Sequence, residues 1–204
     1  RATGPRPEAR GLSARSPVPT TTGGLAGAPG APRPRQPAPP VVLCKKRLGE
    51  TPDAFADFLL AEALAQVGTG EPEQFIGFFG DQYPAFAAAF ADVLDPVETY
   101  QVAAACYDAY LGLETRDTFA RLDGPLFDAW LDAGERLEGR LAELPGALAR
   151  GQTSVGDAAE LACSAVKHAG DLPAPFDALD AELYREHGAA YAVEWADRTA
   201  GTLD

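Results

Sequence analysis

From Thr51 onward, apolar residues return every three or four positions, the spacing that lines one face of an α-helix. Thr51-Pro52-Asp53 sets a cap and a first-turn proline ahead of Phe55, Phe58, Leu59 and Ala63, which predicts a helix running to Val67. Residues 71–79 read as a short second helix. Beyond the turn at residues 81–84, Phe86, Phe90 and Leu94 stand at i, i+4 and i+8 and mark a third. Asp95-Pro96-Val97-Glu98 is a capping signature, and it predicts a fourth helix as far as about Leu111.

The longest amphipathic stretch starts at Asp123-Gly124-Pro125. Leu126, Trp130, Leu137, Leu141 and Leu144 form its apolar side, and Pro145-Gly146 is expected to stop it. Ser154-Val155-Gly156-Asp157 reads as another cap, for a helix carrying Leu161, Ala165 and His168 and ending at Gly170. A last helix, over residues 175–198, places Leu183, His187, Tyr191 and Trp195 four apart on one stripe, with Gly188 as a weak point. No segment alternates with period 2, so no strand is expected. The pattern predicts an all-α domain, an irregular bundle of about seven helices over residues 48–204.

The first 47 residues are a different kind of polymer. They carry 10 of the 18 prolines and no aromatic residue, too little apolar surface to offset chain entropy, and are expected to form a disordered Pro/Gly/Arg-rich arm. Charge divides at the same boundary. The arm holds nine Lys or Arg and one acid, Glu8, a net of +8, whereas residues 48–204 hold eight basic and 29 acidic side chains, a net of −21. A domain so acidic is a poor ligand for nucleic acid or an anionic membrane, because phosphate binding depends on Lys and Arg. Its natural partners are basic proteins. Proteome-wide bias is the competing explanation, since Ala, Gly, Pro and Arg are abundant and there are only three Lys.

Three cysteines, Cys44, Cys106 and Cys163, form no CxxC pair, and the two in apolar helical runs are expected to pack as small hydrophobes. No apolar run reaches the length of a membrane span, and a cytoplasmic location is expected. The chain has no Met and starts at Arg1, which fits a fragment or a translated upstream region.

Catalytic motifs are missing from the sequence. There is no GxSxG and no GKS or GKT loop, and Gly68-Thr69-Gly70 is a lone GxG with no strand before it. Di-iron bundles need Glu-x-x-His, but Ala165 and Tyr184 precede His168 and His187 by three. Asp92 with Asp95 and Asp177 with Asp180 are spaced to face one divalent cation, but capping or solvated roles are expected among so many acids. His168, next to Lys167 in a last helical turn, is read as a structural cation at the helix dipole. His187 is read as a core histidine. No catalytic residue, cofactor or metal is therefore assigned.

Two segments resemble a known family. Gln74-Phe75 followed by Phe78-Phe79 resembles the Asn-Gly-Gly-Phe-x-Gln-Phe/Tyr-Phe segment of small acidic all-helical bacterial proteins that include a DNA mimic, and residues 179–184 resemble their Leu-Asp-x-x-Phe-Tyr segment. Gly70-Glu71-Pro72 stands in place of Asn-Gly-Gly, and Leu183 in place of the Phe. The resemblance implies an all-helical fold and, for the mimic members, carboxylates set out like DNA phosphates that occupy a DNA-binding protein.

The expected function is therefore a non-enzymatic acidic interaction protein, in its narrower form a DNA mimic. Asp128, Asp132, Glu135 and Glu138 on the long helix are the candidate partner-binding residues. An immunity-type inhibitor of a basic toxin uses the same physics. A helical enzyme or small-ligand carrier is the alternative, with an aromatic-lined pocket near His187, Tyr191 and Trp195.

Overall fold

A computed structural model of the chain describes residues 53–203, in which every regular element is a helix and no strand occurs. The expected Pro-rich arm, Cys44 and the Thr51 cap lie outside the described residues. The elements are α1 (Asp53–Thr69), α2 (Phe75–Phe79), α3 (Tyr83–Ala89), α4 (Pro96–Phe119), α5 (Pro125–Ala149), α6 (Val155–Ala165), α7 (Glu182–His187) and α8 (Ala189–Leu203). Short 3₁₀ turns stand at Gly80–Gln82, Val166–His168 and Phe176–Leu179.

Helix α4 is the axis of the bundle. Asp95 caps it as its sequence predicts, its carboxylate accepting from the backbone N–H of Val97 at 2.7 Å and of Glu98 at 2.9 Å. The helix does not end near Leu111 but continues to Phe119. Leu111, Thr115 and Phe119 extend its buried face at i, i+4 and i+8, and the Thr115 hydroxyl donates back to the Leu111 carbonyl, so Gly112 is an interior position rather than a stop.

Small residues bring α6 close against α4. Ala103, Ala109 and Cys106 on one helix and Ala158, Ala159, Ala162 and Cys163 on the other are all buried, and interaxial distance falls with side-chain size. Burial pushes both thiols well above their ordinary pKa, so they act as the small apolar groups their context predicts. Ser154 caps α6 by accepting from the Asp157 N–H at 3.0 Å.

Aromatic residues fill the other side of α4. Phe75, Phe79, Phe86 and Phe90 are buried in a chain of ring contacts that ends on Trp195 of α8. Phe90 and Leu94 lie beyond the end of α3 yet stay buried, because the turn after α3 folds back over the same core. A second, smaller cluster gathers Phe58 of α1, Phe119 of α4, and Ala129 and Trp130 of α5.

Other helix boundaries differ from the expected ones as well. Pro145 lies inside α5 and does not stop it, since Leu144 is buried and Leu148 packs on the main core. That packing on both sides of the proline outweighs a local cost of about 3 kcal/mol. The last expected helix is broken into the turn Phe176–Leu179, α7 and α8, separated at Gly188, whose φ of +51° suits glycine. The break rotates the two halves out of phase. Leu183 and His187 face solvent, while Tyr191 is half-buried and Trp195 is in the core. His187 is thus not a core histidine.

Candidate functional site

The 3₁₀ turn Val166–His168 closes α6 and meets three helices at once. Glycines admit it. A Cβ on Gly112 of α4 would stand 2.9 Å from the Lys167 backbone nitrogen, and one on Gly134 of α5 would stand 3.1 Å from the His168 Cβ. The Trp130 indole N–H donates to the Lys167 carbonyl at 2.9 Å, which fixes the turn to α5. Val166 is fully buried beneath it. Adjacent residues then point into two different concavities.

Lys167 reaches a groove of about 250 Å³ between α1 and α4, lined also by Leu59, Glu62, Gln66 and Asp108. Its ammonium pairs with the Glu62 carboxylate. Glu62 is a buried acid on an otherwise apolar stretch of helix, and removing its partner would leave a charge in a poorly solvated place. Asp108 stands exposed at the groove mouth, yet the protein around it strips part of its hydration and raises its pKa; Lys167 opposes this, while Glu62 and Glu160 add to it.

His168 borders a slot of about 190 Å³ on the α5 side, with Trp130, Leu131, Glu135 and Glu138. Its ring lies between Phe58, at 6.0 Å, and Trp130, at 5.8 Å between centroids. Burial lowers its pKa from 6.5 to about 4, with Lys167 lowering it further and the Trp130 backbone opposing. It is therefore neutral at physiological pH, and the expected cationic role at the helix end is corrected. Nδ1 is buried without a hydrogen-bond partner among the described residues.

All four acids named from sequence are exposed on α5. At about 100° per residue, Asp128, Asp132, Glu135 and Glu138 fall within an arc of about 120° on its outer side. Glu135 and Glu138 form the rim of the His168 slot, and Asp128 and Asp132 continue the strip beyond it. Arg136 turns to the other edge, over the Phe55 ring at 5.7 Å.

Other sequence candidates are held by the fold itself. Asp95 is a helix cap, Asp177 accepts from the Ala178 N–H at 3.0 Å, and Asp180 pairs with Arg116, so neither Asp pair shares one helix face toward a cation. The Tyr191 hydroxyl donates to the Ala178 carbonyl and the Trp195 indole to that of Pro175, each at 2.8 Å. The roles of Glu62, Asp108, Gly112 and Gly134 were not read from the sequence. Their partners lie far along the chain, and only the isolated acid in the apolar run of α1 signals any of them. No helix among the described residues is long and apolar enough to cross a membrane.

Comparison with curated proteins and with solved structures gives no significant match. A family model described as a family of unknown function (DUF7089) matches residues 9–203, taking in most of the Pro-rich leader as well as the helical domain. The chain belongs to that family.

Proposed function

We propose that the helical domain is a non-enzymatic interaction protein whose exposed carboxylates bind a basic protein surface. The supporting observation is how little of its charge is neutralised internally. Residues 53–203 carry 27 acidic and eight basic side chains. Among the described residues, Glu62, Glu114, Asp180 and Glu182 are the only acids in ion pairs, with Lys167, Arg185 and Arg116. Most of the rest face water, and the strip on α5 gathers four of them. The narrower form of this reading, a DNA mimic that occupies a DNA-binding protein, draws on the resemblance of residues 74–79 and 179–184. It requires charges spaced to match about one phosphate per 1.7 Å of duplex.

Pull-downs with immobilised chain, with and without residues 1–47, test the reading. Captured basic protein should dissociate as ionic strength rises, because exposed charges are screened over about 8–10 Å near physiological salt. It should also compete with duplex DNA for that partner. Capture that is indifferent to salt and unchanged by Asn and Gln at residues 128, 132, 135 and 138 rejects the acidic-face mechanism.

A small-ligand carrier or enzyme is the second reading, and the Lys167 groove is what favours it. It joins a buried ion pair to a carboxyl of raised pKa, Asp108, in a cleft.

A further inference from the structure

We infer that the slot between Trp130, Leu131, Glu135, Glu138 and His168 takes an arginine side chain of the basic partner, which makes it the specific contact on the acidic strip. The inference rests on the interaction reading and adds the identity of the group that is recognised. Several observations converge on a guanidinium. Glu135 and Glu138 stand exposed on one side of α5, and together with Leu131 they fall within about 60° of arc at the slot. Arg136 and Arg140 are at least about 100° away on the same helix, so neither carboxylate is answered from α5 itself.

Leu131 is 42% exposed beside the two glutamates, and it offers cover for the methylenes of an arginine stem. Trp130, its ring packed against Phe127 and His168, forms part of the slot's floor, and a guanidinium, more weakly hydrated than an ammonium, loses less water on entering beside it. Among the described residues nothing positive competes in the slot. The His168 imidazole is neutral, and the neighbouring Lys167 directs its ammonium to Glu62 in the groove on the other side of the turn. A volume of about 190 Å³ accommodates one side chain, not a folded segment.

The test is an NMR titration of the full chain with N-acetyl-arginine methylamide, following the Trp130 indole N–H and the His168 ring. The isosteric, uncharged citrulline analogue and the N-acetyl-lysine methylamide serve as comparisons. Expected are saturable shifts at both residues with the arginine probe, little or no response to citrulline, weaker binding of lysine, and a loss of affinity of about tenfold or more in E135Q/E138Q. Both glutamates are exposed, so this variant keeps the fold. Equal response to arginine and citrulline, equal binding of the lysine probe, or shifts spread over the acidic surface without saturation at Trp130 would overturn the assignment. If a basic partner is captured in a salt-dependent way but E135Q/E138Q captures it as well as the parent, the slot assignment fails alone. If the slot binds the arginine probe but no basic protein is captured, it is the interaction reading that fails.

Discussion

His168 makes the pH dependence of stability predictable. The folded chain holds its imidazole neutral, with a pKa near 4 against 6.5 for the free side chain. Above pH 6.5 both states are neutral at this position and the group contributes no dependence. Between pH 6.5 and 4 the unfolded chain takes up a proton that the folded chain refuses, so stability falls as pH falls. At about 1.4 kcal/mol per pKa unit the upper bound is about 3 kcal/mol. Water reaching the half-buried ring brings the expected value to on the order of 1–2 kcal/mol. Carboxylates titrate in the same range and relieve self-repulsion, so the parent curve alone is uninformative. The comparison with His168→Gln cancels that background, because both chains share it. Urea unfolding followed by circular dichroism at pH 7.5, 6.5, 5.5 and 4.5 should show the parent losing on the order of 1–2 kcal/mol more than the variant over that range. Parallel curves would refute the buried, neutral histidine.

Trp195→Ala should lower stability by about 3–5 kcal/mol, as truncation of a buried indole does, and Trp130→Ala by a similar amount because it also frees the Lys167 carbonyl; denaturant melts report both. Gly112→Ala should cost about 1–3 kcal/mol, since the new methyl meets the Lys167 backbone, whereas Gly139→Ala, with open space around it, should gain up to about 1 kcal/mol; equal effects would show that α4 does not press on the turn. Lys167→Met should destabilise by about 3 kcal/mol at neutral pH by leaving the Glu62 charge without its partner, and adding Glu62→Leu should recover most of that; a double variant as weak as the single one would place the cost elsewhere.

Much of the fold is legible in local chemistry. Asp95 and Ser154 announce α4 and α6 because a capping carboxylate or hydroxyl works within three residues of itself. Phe58, Phe86 and Trp130 fall on faces that periodicity alone identifies, and all are buried. The failures share another cause. Reading Leu183, His187, Tyr191 and Trp195 as one stripe assumes an unbroken helix, and a single glycine at φ +51° ends that assumption. Pro145 looks like a stop, and α4 is expected to end near Leu111, but packing from distant segments carries both helices on. The two concavities lay beyond reach for the same reason: Glu62 and Lys167 are 105 residues apart, and nothing near either one names the other. Exposure of the α5 acids was readable from amphipathicity, but not that Glu135 and Glu138 border the His168 slot.

The glycine-cradled turn bears on how the molecule breathes. Helix α1 is the first described element, and its outer side carries Leu60, Leu64 and Val67 in contact with water, so taken alone it would be an obvious segment to open first. Its inner side is fastened to a single place: Glu62 holds Lys167, and Phe58 lies against His168. That place is itself pinned to α4 and α5. Detaching α1 strands the Lys167 ammonium, uncovers an imidazole and loosens the Trp130 contact in one event. Amide protons around residues 58–62 should consequently exchange together with those at the end of α6 and around Trp130, as one cooperative unit that spans three distant stretches of the chain.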